Sequence, residues 1–166
     1  LNGVLGMLQL LEETPLSQEQ REYVDTASSA SKSLLDVIND ILDISKIEAG
    51  KLELSPEPFA LKPLLENVLE TFSYQAREKQ LQLDFQLAPD LPQSVYGDPG
   101  RLRQILFNLV GNAVKFTDKG SVRIHVWSLK PLAQEHLLRL LFRVSDTGSG
   151  IPEEHLDRIF ECFHQV

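Results

Sequence analysis

The chain has 166 residues, which is enough for one medium domain or for a small domain with a helical appendage. Its hydrophobic fraction of 42% and its charged fraction of 24% are ordinary for a folded protein. A net charge of −8 argues against a nucleic-acid-binding surface, because such a surface would show a basic stripe.

The sequence contains no segment that predicts a membrane span. Its most apolar run, residues 137–142, is interrupted by Arg139 and is far too short to cross a bilayer. The chain opens on a helical pattern without the charged start of a signal peptide, so we expect any membrane tether to lie outside these residues. The single cysteine, Cys162, cannot form an internal disulfide, which favours a reducing compartment.

The first fifty residues predict two helices joined by a short turn. Apolar residues recur at steps of three and four up to Leu11, as in an amphipathic helix, and Thr14 with Pro15 ends that helix. Ser17 and Gln20 form a capping-box pattern that opens the second helix, and Gly50 is placed to end it.

The second helix carries an a/d heptad seam, which is typical of a helix in a left-handed bundle. The seam consists of Tyr23, Ala27, Ala30, Leu34, Val37, Ile41 and Ile44. Two hairpins that meet as a four-helix bundle would cover this seam, so we predict a homodimer through residues 1–50. The alternative is a helix pair that packs on the following domain of the same chain.

Three prolines within eight residues, Pro56, Pro58 and Pro63, mark the best candidate for a domain boundary. We therefore predict a hairpin over residues 1–50, a linker over 51–58 and a second domain over 59–166. In that domain the patterns predict helices segregated against an antiparallel-type sheet, an α+β sandwich. The expected helices are 61–79, 98–116 and one that starts at 152, and the expected strands are 81–87, 122–126 and 138–144.

The helix over 98–116, which Asp98 and Pro99 are placed to begin, has two faces of different character. The apolar face predicts a core side made of Leu102, Ile105, Leu106, Leu109 and Ala113. The polar stripe holds Arg101, Asn108, Asn112 and Lys115. Amide oxygens are hard ligands that suit Mg²⁺, and a lysine supplies positive charge for phosphates. A solvated polar face is the alternative interpretation of this stripe.

The segment over residues 146–152 reads D-T-G-S-G-I-P and follows a strand. Its glycines allow the backbone to approach a ligand closely, and Asp146 can accept a hydrogen bond from an exocyclic amine. Asp-Thr-Gly is also the catalytic triplet of aspartic proteases. That alternative requires an almost purely β chain, whereas helices dominate here.

Taken together, these segments resemble the histidine kinases. Residues 108–117 resemble the N box of that family, residues 146–152 its G1 box and residues 158–163 its F box. Residues 1–6 resemble the stretch just after the histidine-bearing H box. Residues 44–52 are similar to the end of the second dimerisation helix, especially in hybrid kinases with a receiver domain downstream. The resemblance covers essentially the whole chain.

The resemblance implies ATP and Mg²⁺ as cofactors and a role for each site residue. Asn112 would be the metal ligand, Asn108 would lie near the γ-phosphate and Lys115 would contact phosphate. Asp146 would bind the adenine amine. Gly148 and Gly150 would shape the base pocket, and the remaining implied nucleotide contacts are Phe116 and Ile151.

Asn108 stands where gyrase, the Hsp90 chaperones and mismatch-repair ATPases have a glutamate that activates water. An amide cannot act as a general base, which fits transfer to a protein acceptor rather than hydrolysis. Phe160 and Phe163 are interpreted either as core residues or as a clasp for an ATP lid, and the two roles are compatible.

The resemblance also implies an acceptor histidine a few residues before Leu1 and a second glycine-rich box after Val166. No histidine of the chain has the acceptor's sequence context; the four are His125, His136, His155 and His164. We expect His125 to point outward from a strand and the others to be surface residues. The chain as given is therefore predicted not to phosphorylate itself at an acceptor of its own.

The implied function is that of the kinase region of a bacterial sensor histidine kinase, which phosphorylates a histidine for relay to a receiver aspartate. The expected location is the cytoplasmic portion of an inner-membrane protein. The expected partners are a second copy, a response-regulator receiver domain and, in some settings, another histidine kinase. The alternative is a non-catalytic regulator that dimerises with another kinase through the same hairpin.

Overall fold

The computed structural model describes residues 2–129 and 138–158. The chain divides into two compact units, Leu1–Glu53 and Leu54–Val166. The predicted boundaries at 50 and 58 stay a prediction. Several residues singled out in the sequence lie outside the described part: His136, Phe160, Cys162, Phe163 and His164.

The first unit consists of α1 (Asn2–Glu12) and the long α2 (Gln18–Glu48). The capping box that opens α2 is formed as predicted, since Gln20 N–H donates to Ser17 Oγ at 3.2 Å and Ser17 N–H donates to Gln20 Oε1 at 2.9 Å. Helix α2 ends before Gly50, whose φ of +63° is the left-handed conformation that favours glycine.

The heptad seam of α2 is largely exposed in this single hairpin. Leu34, Val37 and Ile41 are 50%, 51% and 42% exposed, whereas Val24 and Ser28 are buried. A seam of this kind costs free energy in water, because exposed apolar area is unfavourable. The dimer that would cover it stays a prediction.

The second unit contains β1 (Glu57–Phe59), α3 (Leu61–Glu78), β2 (Gln82–Leu87), β3 (Val95–Gly97), α4 (Pro99–Phe116), β4 (Ser121–Leu129), β5 (Arg139–Asp146) and a short 3₁₀ helix, Glu153–Arg158. Strands β1 and β3 form a two-stranded antiparallel sheet. The larger sheet has the order β2-β4-β5. It is mixed rather than antiparallel, because β2 pairs with β4 in parallel through the crossover that contains α4.

The core lies between one face of the larger sheet and the helices α3 and α4. It is formed by Leu64, Leu65 and Val68 of α3, Leu106, Val110, Ala113 and Val114 of α4, and Val122, Ile124 and Val126 of β4, together with Ala76 and Leu81. As predicted, His125 lies on the opposite face of the sheet from this core. Its ring stacks on that of Trp127, with the two centroids 5.1 Å apart. This arrangement confirms the predicted fold class of a helical hairpin followed by an α/β sandwich.

The predicted core side of α4 was wrong in part. Ile105 and Leu109 are 56% and 48% exposed, while Val110 and Val114 are fully buried. The buried stripe therefore runs through residues 106, 110, 113 and 114. Because the packing of α3 and the sheet decides which stripe is buried, two apolar residues remain on the face that carries the amides.

Candidate functional site

The start of α4 is fixed by Asp98. Its Oδ1 accepts a hydrogen bond from Arg101 N at 2.9 Å, which is an N-cap, and its Oδ2 accepts one from Ser55 N at 2.9 Å. These backbone donors, Ser55 first and then Arg101, hold the pKa of Asp98 below its ordinary value. The helix that carries the candidate residues therefore begins at a defined position, as the sequence predicted.

Along α4, the candidate residues share one solvent-exposed face. Asn108, Asn112 and Phe116 follow one another at four-residue steps and are all exposed, so their side chains project on the same side. The Nζ atom of Lys115 lies 5.0 Å from the centroid of the Phe116 ring. The face thus combines two neutral amides, one ammonium group and an aromatic ring, with Ile105 and Leu109 beside them.

The end of α4 meets the segment that follows β5. Ser149 N–H donates to the carbonyl oxygen of Phe116 at 3.4 Å. A Cβ atom on Gly148 would lie 3.0 Å from Phe116 C and still closer to its carbonyl oxygen, so only glycine permits this approach. The structure therefore brings together Phe116 and Gly148, which lie in the two candidate segments.

Asp146 is the last residue of β5 and opens this segment. Its Oδ1 accepts a hydrogen bond from Gly148 N at 2.9 Å, which orients the carboxylate across the turn. In the described part of the chain, its second oxygen has no hydrogen-bond partner. An exposed carboxylate oxygen of this kind is an acceptor for an external amine.

Two other predicted residues follow in the same turn. Gly150 has a φ of +72°, a left-handed conformation, with no atom within 4 Å of an added Cβ. Ile151 is half-exposed, so its side chain offers apolar surface to a ligand. Among the described residues, no hydrogen bond joins Asn108 or Asn112 to this segment, and a ligand would have to bridge the two.

Two residues that contribute to the geometry were missed in the sequence. The Thr147 hydroxyl donates to Lys119 O at 3.1 Å and accepts from Ser121 N at 3.0 Å, which ties the turn before β4 to the segment after β5. An added Cβ on Gly120, whose φ is +113°, would collide with that hydroxyl. The other missed residue, Lys79, donates to three carbonyls at the end of α4. No local pattern in the sequence points to Lys79, whereas Thr147 stands inside the D-T-G triplet.

The exposed amides of α4 suit a cation that is also bound to phosphates better than a cation held by protein side chains alone. Within residues 2–129 and 138–158, no group of three His, Cys, Asp or Glu side chains could hold a metal ion. Mg²⁺ commonly keeps several waters and takes one or two protein ligands together with substrate phosphates. The exposed amide face of α4 offers such ligands, and Lys115 offers charge for the phosphates. Among residues 2–129 and 138–158, no helix could span a membrane.

Comparison with known proteins gives two family matches. Residues 1–50 match the His Kinase A (phospho-acceptor) domain, and residues 97–165 match the histidine kinase-, DNA gyrase B- and HSP90-like ATPase. Together the two matches cover most of the chain.

Two curated relatives match this chain over all its residues. The chain is 41% identical over all its residues to the signal transduction histidine-protein kinase BarA of Escherichia coli, and it covers 18% of that protein. It is 42% identical to the sensory/regulatory protein RpfC of Xanthomonas campestris, again over its whole length and over 23% of that protein. The chain thus spans about a fifth of the length of these curated relatives.

A solved structure supports the same match. Full-length ShkA, described in complex with AMPPNP, superposes with a TM-score of 0.77 at 41% identity, over 99% of this chain and 34% of that one.

Proposed function

Because the chain belongs to the histidine kinase family, we propose that it is the kinase region of a hybrid-type sensor kinase. In this proposal it binds ATP with Mg²⁺ and transfers the γ-phosphoryl group to a histidine, which then serves a receiver aspartate. The observation that carries the proposal is the junction between the exposed amide face of α4 and the Asp146–Gly148 turn, which meet at the Phe116 carbonyl.

The adenine end of the ligand is assigned to the turn after β5. The unpartnered oxygen of Asp146 would accept the adenine amine, while Gly148 and Gly150 leave room for the base next to the backbone. Ile151 and the exposed ring of Phe116 would cover the two faces of the base or ribose with apolar surface.

The phosphate end is assigned to the amide face of α4. The side-chain oxygen of Asn112 would complete the coordination of Mg²⁺, and Asn108, one turn earlier, would lie near the γ-phosphate. The ammonium of Lys115, held beside Phe116, would offset the phosphate charge. Bound Mg²⁺ would neutralise charge that develops on the β- and γ-oxygens during transfer.

The reaction type follows from Asn108. Its neutral amide can position a phosphate or a metal-bound water but cannot remove a proton from water, so the site is poor at hydrolysis. An imidazole nitrogen is already nucleophilic in its neutral form. It would attack the γ-phosphorus while the bond to the β-phosphate oxygen breaks and ADP leaves. Asn108 and Lys115 would then stabilise the transferring group.

The nucleotide assignment is tested by titrating the chain with a non-hydrolysable ATP analogue, with and without Mg²⁺, by calorimetry. Asn112→Ala should remove the affinity gained from Mg²⁺ and leave the Mg²⁺-independent part. Asn67→Ala is the matched control, because Asn67 is an exposed asparagine on α3 and should leave binding unchanged. A wild-type chain that binds no analogue under either condition would refute the proposal.

The phosphotransfer itself is tested in the parent protein with γ-labelled ATP. We expect a label that is lost in acid, as a phosphohistidine is, and that is absent in the Asn112→Ala parent. A parent that is folded and dimeric yet takes up no label would leave the nucleotide site without a kinase role. The receiver partner and a cytoplasmic location are further parts of the same proposal.

A further inference from the structure

Lys79 connects the end of α3 to the end of α4. It is the residue that follows α3, and its Nζ donates to Val114 O at 3.0 Å, Lys115 O at 2.8 Å and Thr117 O at 3.2 Å. The side chain is 33% exposed. An ammonium group has three donors, and here the three carbonyls take all of them.

These carbonyls need an external partner. The last four carbonyls of an α-helix accept no hydrogen bond from within the helix. Helix α4 ends at Phe116, and its C-cap residue, Thr117, is extended instead of being a left-handed glycine. Val114 and Thr117 are 1% and 0% exposed, so with Lys79 in place their carbonyl oxygens depend on its ammonium group rather than on bulk water. A cation at this end also interacts favourably with the helix dipole.

The carbonyl that Lys79 does not take is that of Phe116. It accepts instead from Ser149 N–H, at the contact that joins α4 to the Asp146–Gly148 turn. Lys79 therefore binds the carbonyls on both sides of Phe116 and leaves the Phe116 oxygen directed at the turn. The salt bridge from Lys79 to Asp118 at 3.9 Å adds little, since that carboxylate is 99% exposed.

We propose that Lys79 is a positioning residue of the nucleotide site, which fixes the last turn of α4 so that Phe116 O meets the Asp146–Gly148 turn. The hydrogen bonds of Lys79 go only to backbone oxygens, so Lys79 acts through Phe116 and Lys115. The inference rests on the proposed function and adds the residue that follows α3 to a site otherwise built from α4 and the segment after β5.

The chain offers a matched pair of lysines for the test. Lys79→Met keeps the length of the side chain and removes its donors, and Lys79→Arg keeps the charge but spreads its donors in a planar fork. Lys62→Met is the control, because Lys62 is also on α3 and its side chain is 68% exposed in a surface pair with Glu66. Each variant is measured by amide hydrogen exchange, by thermal unfolding and by calorimetric titration with Mg²⁺ and a non-hydrolysable ATP analogue.

We expect the amides of this junction, Ser149, Thr147 and Ser121, to exchange faster in Lys79→Met, while residues 122–129 of β4 keep their protection. The affinity for the analogue should fall by about tenfold at a temperature where the variant is folded. The affinity of Lys79→Arg should lie between those of the wild type and Lys79→Met, and the affinity of Lys62→Met should match that of the wild type.

The result that overturns the inference is a Lys79→Met variant with wild-type affinity. Uniformly faster exchange, with an affinity loss equal to the unfolded fraction, would also overturn it, because Lys79 would then be only structural. If the wild-type chain itself binds no analogue, the proposed function fails and the inference fails with it. If the wild type binds the analogue and Lys79→Met binds it equally well, the inference is refuted while the proposed function stands.

Discussion

Gly148→Ala should weaken nucleotide binding more than it weakens the fold. The added Cβ would lie 3.0 Å from Asp146 Oδ1 and 3.0 Å from Phe116 C, and closer still to the Phe116 carbonyl oxygen. Both neighbours are held by hydrogen bonds, so the turn must move away from α4. An added methyl in a packed contact typically costs about 1–3 kcal/mol. If the turn absorbs this cost by separating from α4, affinity falls by roughly 5- to 150-fold.

The measurement is calorimetric titration of Gly148→Ala with Mg²⁺ and a non-hydrolysable ATP analogue, beside denaturant unfolding of the same protein. Gly97→Ala serves as the control, because an added Cβ there meets Phe59 at 3.6 Å, an ordinary contact outside the site. We expect the control to bind as the wild type does. A folded Gly148→Ala protein that binds within twofold of the wild type would refute the reasoning from close approach.

Two further predictions concern the sheet and the hairpin. Hydrogen bonding by Arg123 lowers the pKa of Asp84 from 3.8, so the pair stabilises the fold above that pH and loses its effect as the pH falls through the lowered pKa. As the pH falls below 3.8, the unfolding free energy of Asp84→Asn should therefore decrease less steeply than that of the wild type. The difference should be small because both side chains are over 40% exposed, and equal slopes would contradict the prediction. In sedimentation, Ile41→Glu should be monomeric because it places a charge in the seam, whereas Ser29→Glu, at an exposed position outside the seam, should remain dimeric. A dimeric Ile41→Glu protein would count against the heptad interpretation.

The sequence was most informative where the determining interactions are local. The capping box at Ser17 and the N-cap at Asp98 were predicted because donor and acceptor lie three residues apart. The alternation in β4 was visible because its buried residues are apolar and recur every second position. The short strands β1 and β3 were missed, because each has three residues, too few for a periodic signal, and β1 includes Pro58.

The sequence was least informative where contacts join distant parts of the chain. Ile105 and Leu109 were assigned to the core because they are apolar, but the buried stripe of α4 is chosen by the positions of α3 and the sheet. The Lys79 contacts span 35 to 38 residues, and no local pattern encodes them. The candidate site residues were predicted from chemistry and resemblance, whereas the junction of their two segments at the Phe116 carbonyl is visible only in the structure.

The parallel pairing of β2 with β4 has a consequence for the order of folding. The two strands cannot meet through a tight turn, because parallel neighbours need a long crossover, and α4 lies in that crossover. Pairing of this kind is intrinsically slow, since loop-closure entropy is lost before the strands make contact. Early helix formation in α4 would shorten the effective loop, so substitutions such as Asn108→Ala, which raise helix propensity, should speed refolding even as they damage the site. In the proposed nucleotide site, the two asparagines would therefore favour ligand binding at the expense of folding speed.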